Sequence, residues 1–375
     1  MPMRNAWFDT WRRWDWPLAV SVFLLLAIGL MTLASLSTTS PFPYFFRQII
    51  WVVLGVAAFF LVSLFDYRIL KNYGGLLLAF YAILAVALII LAATGVKIRG
   101  VTSWFNFGYF AVEPGEFMKI ILILILAKYF SRRHVEIYRL RHLLVSGLYA
   151  GIPIFLILIQ PDLGTAAILA SVWLAIVIFS GIRAKHLLLF FVSASVFSVM
   201  AWFLILAPYQ KDRIFSFLNP WNDPLGSGYN AIQSMIAVGS GELWGKGLSY
   251  GSQTHLNFLP EPSTDFIFAA FAEEWGFLGV VFILGVYGVL FWRLFRIGMR
   301  ASDNFARLTL LGISTVIFTH LVIHVGMNIG ILPITGVTLP FVSYGGSSIL
   351  TVMILAGLAE SISIRSLKSG GQISE

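Results

Sequence analysis

The chain has 375 residues, of which 59% are hydrophobic and only 11% charged, with a mean hydropathy of +0.88. This composition excludes a soluble globular protein, which needs far more charge at its surface, and indicates a polytopic membrane protein. Cysteine is absent, which excludes a disulfide framework, a thiolate metal site and a cysteine nucleophile and leaves the redox compartment unread.

The elements follow one another as apolar segments of about 20 residues, the length that crosses a bilayer. The first 16 residues carry Arg4, Arg12 and Arg13, and the apolar run after them is too long for a signal-peptide core, so it reads as an uncleaved first span. Ten spans are expected, at 17–37, 46–65, 74–95, 115–131, 143–160, 164–181, 186–207, 267–292, 308–330 and 342–363. The expectation is therefore an all-α polytopic membrane protein, a single membrane domain over 1–375, with ten transmembrane helices and a long extracytoplasmic loop, 208–266, between spans 7 and 8.

The net charge of +8 is not spread like that of a nucleic-acid-binding protein. If the N-terminus is cytoplasmic, Lys and Arg crowd the short inside loops 66–73, 132–141, 181–185 and 293–307, as positive-inside orientation requires. The C-terminus then also returns to the cytoplasm. The outside segments are different: 96–114 is aromatic, and 208–266 is long, Gly-rich and aromatic. A connection of that length is usually functional or disordered, and its aromatic content argues against disorder.

Four ionisable groups gather at the outer ends of the spans: Glu116, Lys119, Asp162 and Asp265. Charges at membrane depth are costly, and four at one level suggest a shared polar cavity. Glu116 and Lys119 are three residues apart behind Pro114, on one helix face. They read either as a structural ion pair or as part of the cavity. Asp162, in Gln160-Pro-Asp-Leu-Gly-Thr165, is a natural N-cap for the next span or a lining residue. Asp265, in Leu259-Pro-Glu-Pro-Ser-Thr-Asp265-Phe-Ile-Phe268, is a candidate general base or a cap for span 8, a service that Thr264 also offers.

In the long loop, a short amphipathic re-entrant helix is expected around Gln233 to Val238. The glycines of Ala237-Val-Gly-Ser-Gly-Glu-Leu-Trp-Gly-Lys-Gly247 either turn backbone N–H groups to a ligand or merely permit tight turns, and Arg213 and Lys246 are candidate phosphate partners. Glu273 and Glu274 are adjacent, so at most one shares the direction of Asp265. His320 and His324, four apart in span 9, read as hydrogen-bonding groups facing the bundle rather than a metal pair, since no third ligand is near. Ser343-Tyr-Gly-Gly-Ser-Ser348 opens span 10 with small residues suited to close packing.

Together these segments resemble the SEDS family (shape, elongation, division and sporulation), over nearly the whole chain. The carriers are Pro114-Gly-Glu116-Phe-Met-Lys119, Gln160-Pro-Asp-Leu-Gly-Thr165, Asp223-Pro-Leu-Gly-Ser-Gly-Tyr229 with Gln233-Ser, Gly239-Ser-Gly with Gly245-Lys-Gly247, Leu259 to Phe268, and Leu339-Pro-Phe-Val-Ser-Tyr-Gly-Gly-Ser-Ser348. The chain departs from the family in having Pro-Gly-Glu for the usual Pro-Ser-Glu and Gly241-Glu242 where Gly-Gly is common. Gly251-Ser-Gln-Thr-His-Leu-Asn-Phe-Leu-Pro260 and Asn328 to Val337 look most like the RodA-type elongation branch, with the FtsW division type and the sporulation type close.

The resemblance implies a bacterial inner-membrane glycosyltransferase that polymerises lipid II on the outer face of the membrane. Asp265 would be its catalytic residue. Glu116, Lys119 and Asp162 would stand at the family's charged positions; beside them, Arg213, Gln233, Lys246 and Ser343 are candidates to bind substrate or line the cavity. It also implies a class B penicillin-binding protein and the elongation machinery as partners, and no organic cofactor. A divalent cation (Mg or Mn) is one candidate for stabilising the leaving diphosphate. A lipid II flippase and a non-catalytic scaffold for the partner synthase are the alternatives.

Overall fold

The computed structural model describes residues 14–369 except 38–43, 95–102, 107, 109–110, 133–139, 184, 187, 227 and much of 190–214. Within these, the helices are α1 (Trp16–Leu36), α2 (Tyr44–Leu64), α3 (Tyr67–Asn72), α4 (Gly74–Thr94), α5 (Pro114–Ser131), α6 (Leu140–Ile159), α7 (Leu163–Phe179), α8 (Tyr229–Ser240), α9 (Ser252–His255), α10 (Ile267–Arg300), α11 (Asn304–Asn328) and α12 (Gly346–Ser369). A two-residue hairpin, β1 (Phe105–Asn106) with β2 (Ala111–Val112), pairs antiparallel just before α5.

Seven of these helices, α1, α2, α4, α6, α10, α11 and α12, are long and apolar enough to cross a membrane. Two more expected spans are helical as well. α7 has 17 residues, and α5 carries Glu116, Lys119 and Lys128 within its 18. The remaining one, 186–207, falls largely outside the described residues. The protein is a helical, multi-pass membrane protein.

Helix boundaries follow local chemistry. Asp15, Asp66, Asp162 and Asp303 each cap a helix by accepting a backbone N–H, from Leu18, Arg68, Thr165 and Ala306 respectively. Pro114 opens α5, where a missing N–H costs nothing. α12 is the inner helix. It packs most heavily on α2 and also on α10, α5 and α11. Its residues Val352, Met353, Leu355, Ala356, Ala359 and Ile362 are all buried. At one end Asp15 ties three elements together. It receives the Arg293 guanidinium (Nε at 2.8 Å), and its own N–H donates to Glu360 of α12 at 2.8 Å.

α10 is broken rather than continuous. Gly276 takes φ 64° and ψ −167° inside it, a conformation open to glycine alone. The groups that lose their helical partners are met by the chain after α8. Phe277 and Leu278 N–H donate to Glu242 and Leu243 carbonyls, while Lys246 and Gly247 N–H donate to Glu273 and Glu274 carbonyls. A break at membrane depth is tolerated only where protein re-satisfies the freed backbone in this way.

Candidate functional site

The site grows from three chain segments meeting at the start of α10. The turn 261–266 delivers Asp265, which is half-buried, directly before that helix. Two side chains grip the turn by its backbone. Asn328 Nδ2 donates to the Asp265 carbonyl at 3.1 Å and to His324 O at 2.8 Å, while its Oδ1 accepts Ala269 N–H at 3.1 Å. Ser343 Oγ donates to the Thr264 carbonyl at 2.9 Å and accepts Leu339 N–H at 2.8 Å. Tyr344 N–H adds a bond to Ser263 O at 2.9 Å. These bonds use the main chain of the turn. The carboxylate faces Gly336, where an added Cβ would lie 3.7 Å from Oδ2.

The extended segment through Gly336, Val337 and Thr338 is a wall between two groups of charges. On one side is Asp265. On the other, Val337 packs so closely on Gly164 that a Cβ there would come within 2.4 Å of it, which brings the α7 N-terminus and its cap Asp162 against the wall. The α5 N-terminus is next to that, with Gly115 close to Thr165. Glu116 and Lys119 form the expected pair at 2.7 Å, and Lys119 has no exposed surface at all. Lys119 Nζ also meets His320 Nε2 at 2.9 Å.

Glu113 joins this group. Burial, then the neighbouring carboxylates of Glu116 and Asp162, push its carboxyl well above the ordinary carboxylate range. Three carboxylates facing one buried ammonium leave a surplus of negative charge, and holding one carboxyl neutral relieves it. Glu113 N–H is fixed by Ser347 Oγ at 3.0 Å. The serines that open α12 are thus fasteners as well as small residues. Ser343 holds the Asp265 turn, Ser347 holds the entry to α5, and Ser348 bonds Thr338 Oγ1 at 2.8 Å.

The remaining sequence candidates divide. Asp162 is a cap, its Oδ1 accepting Thr165 N–H at 3.0 Å, and it also stands close enough to raise Glu113. Phe266 occupies the cap position of α10, with no cap bond from its own side chain, and Asp265 stands one residue before it. Gln233 lies half-buried in α8, the expected short helix, which runs wider than anticipated, Tyr229–Ser240. Arg213 lies outside the described residues.

Lys246, a candidate phosphate partner, is paired with Glu273 at 2.8 Å and with Ser252 Oγ at 2.7 Å and keeps part of its surface exposed. Glu273 also accepts Gln253 N–H and Thr254 N–H. Glu274 takes Ser35 Oγ, Ser249 N–H and His255 Nε2. Both glutamates therefore hold loop 245–255 onto α10, each bonded to a different part of that loop.

Sequence reasoning missed Glu113 and Asn328. Glu113 stands one residue before the quoted Pro114–Lys119 motif and had no helical periodicity to mark it. Asn328 was legible only as an amide in an apolar span. His320 and His324 do hydrogen-bond inside the bundle, each through Nδ1 to a wall carbonyl, Thr338 O at 2.9 Å and Val337 O at 2.7 Å.

Residues 16–368 match the family model FtsW/RodA/SpoVE, described as cell cycle protein. The chain belongs to the SEDS family. Stage V sporulation protein E of Bacillus subtilis (strain 168) is 38% identical over 91% of this chain and 94% of its own length. Peptidoglycan glycosyltransferase RodA of Treponema pallidum (strain Nichols) is 32% identical over 94% of this chain and 98% of its own. The fold superimposes with a TM-score of 0.80, at 30% identity and over 94% of this chain and 98% of the other, on a chain from a structure of a peptidoglycan synthase complex that coordinates polymerization and crosslinking. The family match spans the segments that form the Asp265 turn, the wall and the α5 charge group.

Proposed function

We propose that the protein is a peptidoglycan glycosyltransferase that polymerises lipid II at the outer face of the bacterial cytoplasmic membrane, with Asp265 as general base. The observation that carries this reading is the clamp on the Asp265 turn. Asn328 and Ser343 fix its backbone and leave the half-buried carboxylate beside an extended wall. A base must be aimed before it can act. Family membership, and the glycosyltransferase named among the relatives, supports the same chemistry.

In this mechanism Asp265 accepts the proton of the 4-hydroxyl of the acceptor GlcNAc. The freed oxygen attacks the anomeric carbon of the donor MurNAc from the face opposite the diphosphate. The carbon–oxygen bond to the diphosphate breaks, polyprenyl diphosphate leaves, and an α-linkage becomes a β-1,4 bond. A positioned base contributes about 10²–10⁴ in rate.

The leaving diphosphate needs countercharge. Lys119 is fully buried and already shared between Glu116 and His320, so it serves the site's architecture. Lys246 keeps partial exposure beside its glutamate and is the better placed of these two lysines, with Arg213 as a further donor. Among the described residues no three His, Asp or Glu side chains converge as a metal site. A divalent cation, Mg or Mn, would stabilise the leaving diphosphate by binding its oxygens.

The partner is proposed to be a class B penicillin-binding protein within the elongation machinery, in line with the synthase complex to which the fold is similar. Both termini are assigned to the cytoplasm from the basic inside loops.

Purified protein with its partner synthase and labelled lipid II provides the test. The wild type yields glycan polymer that persists when the transpeptidase is inhibited, and Asp265→Asn yields none while still binding substrate. Polymer from Asp265→Asn at near wild-type rate removes the carboxylate from catalysis. No polymer from the folded wild type with its partner removes the glycosyltransferase reading in favour of flippase or scaffold.

A further inference from the structure

One face of α11 connects the two charge groups. His320, His324 and Asn328 are spaced four apart, so they stack along a single stripe of the helix. All three are buried, at 1%, 0% and 0% exposure. In order along the stripe they bond Thr338 O, Val337 O and Asp265 O. The stripe therefore holds the wall and the Asp265 turn in one register.

His320 differs from the other two in having a charged partner on its far side. Thr338 O can only accept, so Nδ1 of His320 carries the proton and donates it at 2.9 Å. The Lys119 ammonium, paired with Glu116, can only donate, so Nε2 of His320 presents its lone pair at 2.9 Å. The partners thus select a neutral imidazole in its Nδ1–H tautomer: the Nε2–H tautomer would lose both bonds, and the imidazolium would set two donors against each other at Lys119.

We infer that His320 is a positioning residue that transmits the placement of the Glu116–Lys119 pair, through Thr338 and Gly336, to the wall facing the Asp265 carboxylate. The inference rests on the glycosyltransferase reading for its consequence in turnover, but not for its geometry. It explains why a costly buried ion pair stands beside the catalytic turn without contacting it. The pair sets the wall, and the wall sets the space in which the acceptor hydroxyl meets Asp265. Displacing a reacting group by about 1 Å costs on the order of a hundredfold in rate.

Two measurements test it. The first is histidine ¹⁵N NMR on the full chain in detergent, which has six histidines, with His320→Asn to assign the resonance. A neutral Nδ1–H signal that moves in Lys119→Met is expected. An Nε2–H tautomer or an imidazolium would overturn the bridge whatever the enzyme does.

The second is a kinetic cycle of Lys119→Met, His320→Asn and the double variant with lipid II and the partner synthase. Asparagine retains a donor for Thr338 and removes the acceptor for Lys119. The expectation is a fall in kcat on the order of tenfold or more with KM little changed, and a double variant no slower than the slower single. Wild-type kcat in folded His320→Asn, or losses that simply multiply, would overturn the coupling. An inactive wild type would instead overturn the glycosyltransferase reading, and the NMR result would still decide the bridge.

Discussion

At the scale of single residues, charges are placed where water is scarce, and the Glu116–Lys119 pair shows how one is answered. Lys119 has no exposed surface and owes its charge to Glu116 at 2.7 Å. Replacing it with methionine strands a buried carboxylate, so Lys119→Met should lose about 3–5 kcal/mol of stability. Adding Glu116→Gln to it should recover most of the thermal stability without restoring polymerisation, as measured by unfolding in detergent beside the polymer assay.

Glu113 gives a pH signature. Its carboxyl is raised by burial and by Glu116 and Asp162, so the fold favours its neutral form. The stability this contributes is complete below the ordinary carboxylate range and is lost as pH rises through the elevated value. Wild type should therefore lose ground to Glu113→Gln as pH is raised from mildly acidic to neutral and beyond. Parallel melting curves for the two proteins would contradict the assignment. The spacing of Glu116 and Lys119 made their pairing legible in the sequence, whereas the role of Glu113 depends on Asp162, which is far away in the chain and adjacent only after folding.

At the scale of elements, the broken helix α10 and the loop behind α8 form one unit. Gly276 has φ 64°, and a Cβ on it would come within 2.2 Å of Gly245 N. Gly276→Ala combines backbone strain of about 1–3 kcal/mol with a clash against main chain that cannot rotate away. The expected result is a lowered melting temperature together with faster proteolysis within 242–255, because the Glu242 and Leu243 carbonyls lose the Phe277 and Leu278 N–H donors. Unchanged protease resistance would mean that the glutamates alone retain the loop. The sequence showed the span and the glycines but not the break, since the hydropathy of α10 runs on past Gly276 and only the docked loop makes the interruption affordable in energy.

At the scale of the whole molecule, the proposed orientation places the Asp265 turn outside and the basic loops inside. With no native cysteine, single-cysteine labelling reads this directly. Ser302→Cys, on the exposed connection between α10 and α11, should react with an impermeant thiol reagent only after the cells are opened, whereas Tyr250→Cys, at a position 77% exposed in the long loop, should react on intact cells. The reverse pattern would invert the topology and remove access of an outer-face substrate to Asp265.

The sequence by itself determined the membrane class, most span positions, the short helix in the long loop and the Glu116–Lys119 pair. These are carried by runs of hydropathy, by residue spacing within one helix and by motif order, all of which survive without knowledge of the fold. Only the tertiary structure decided that Lys246 answers Glu273, that Ser343 and Asn328 hold Asp265 by its backbone, and that His320 links Lys119 to the wall. Each of those joins residues from separate helices, and a hydrogen bond between distant segments leaves no periodic trace in either. The physical cause is the low-dielectric interior, which favours pairing of buried polar groups but lets packing, not sequence distance, choose the partner.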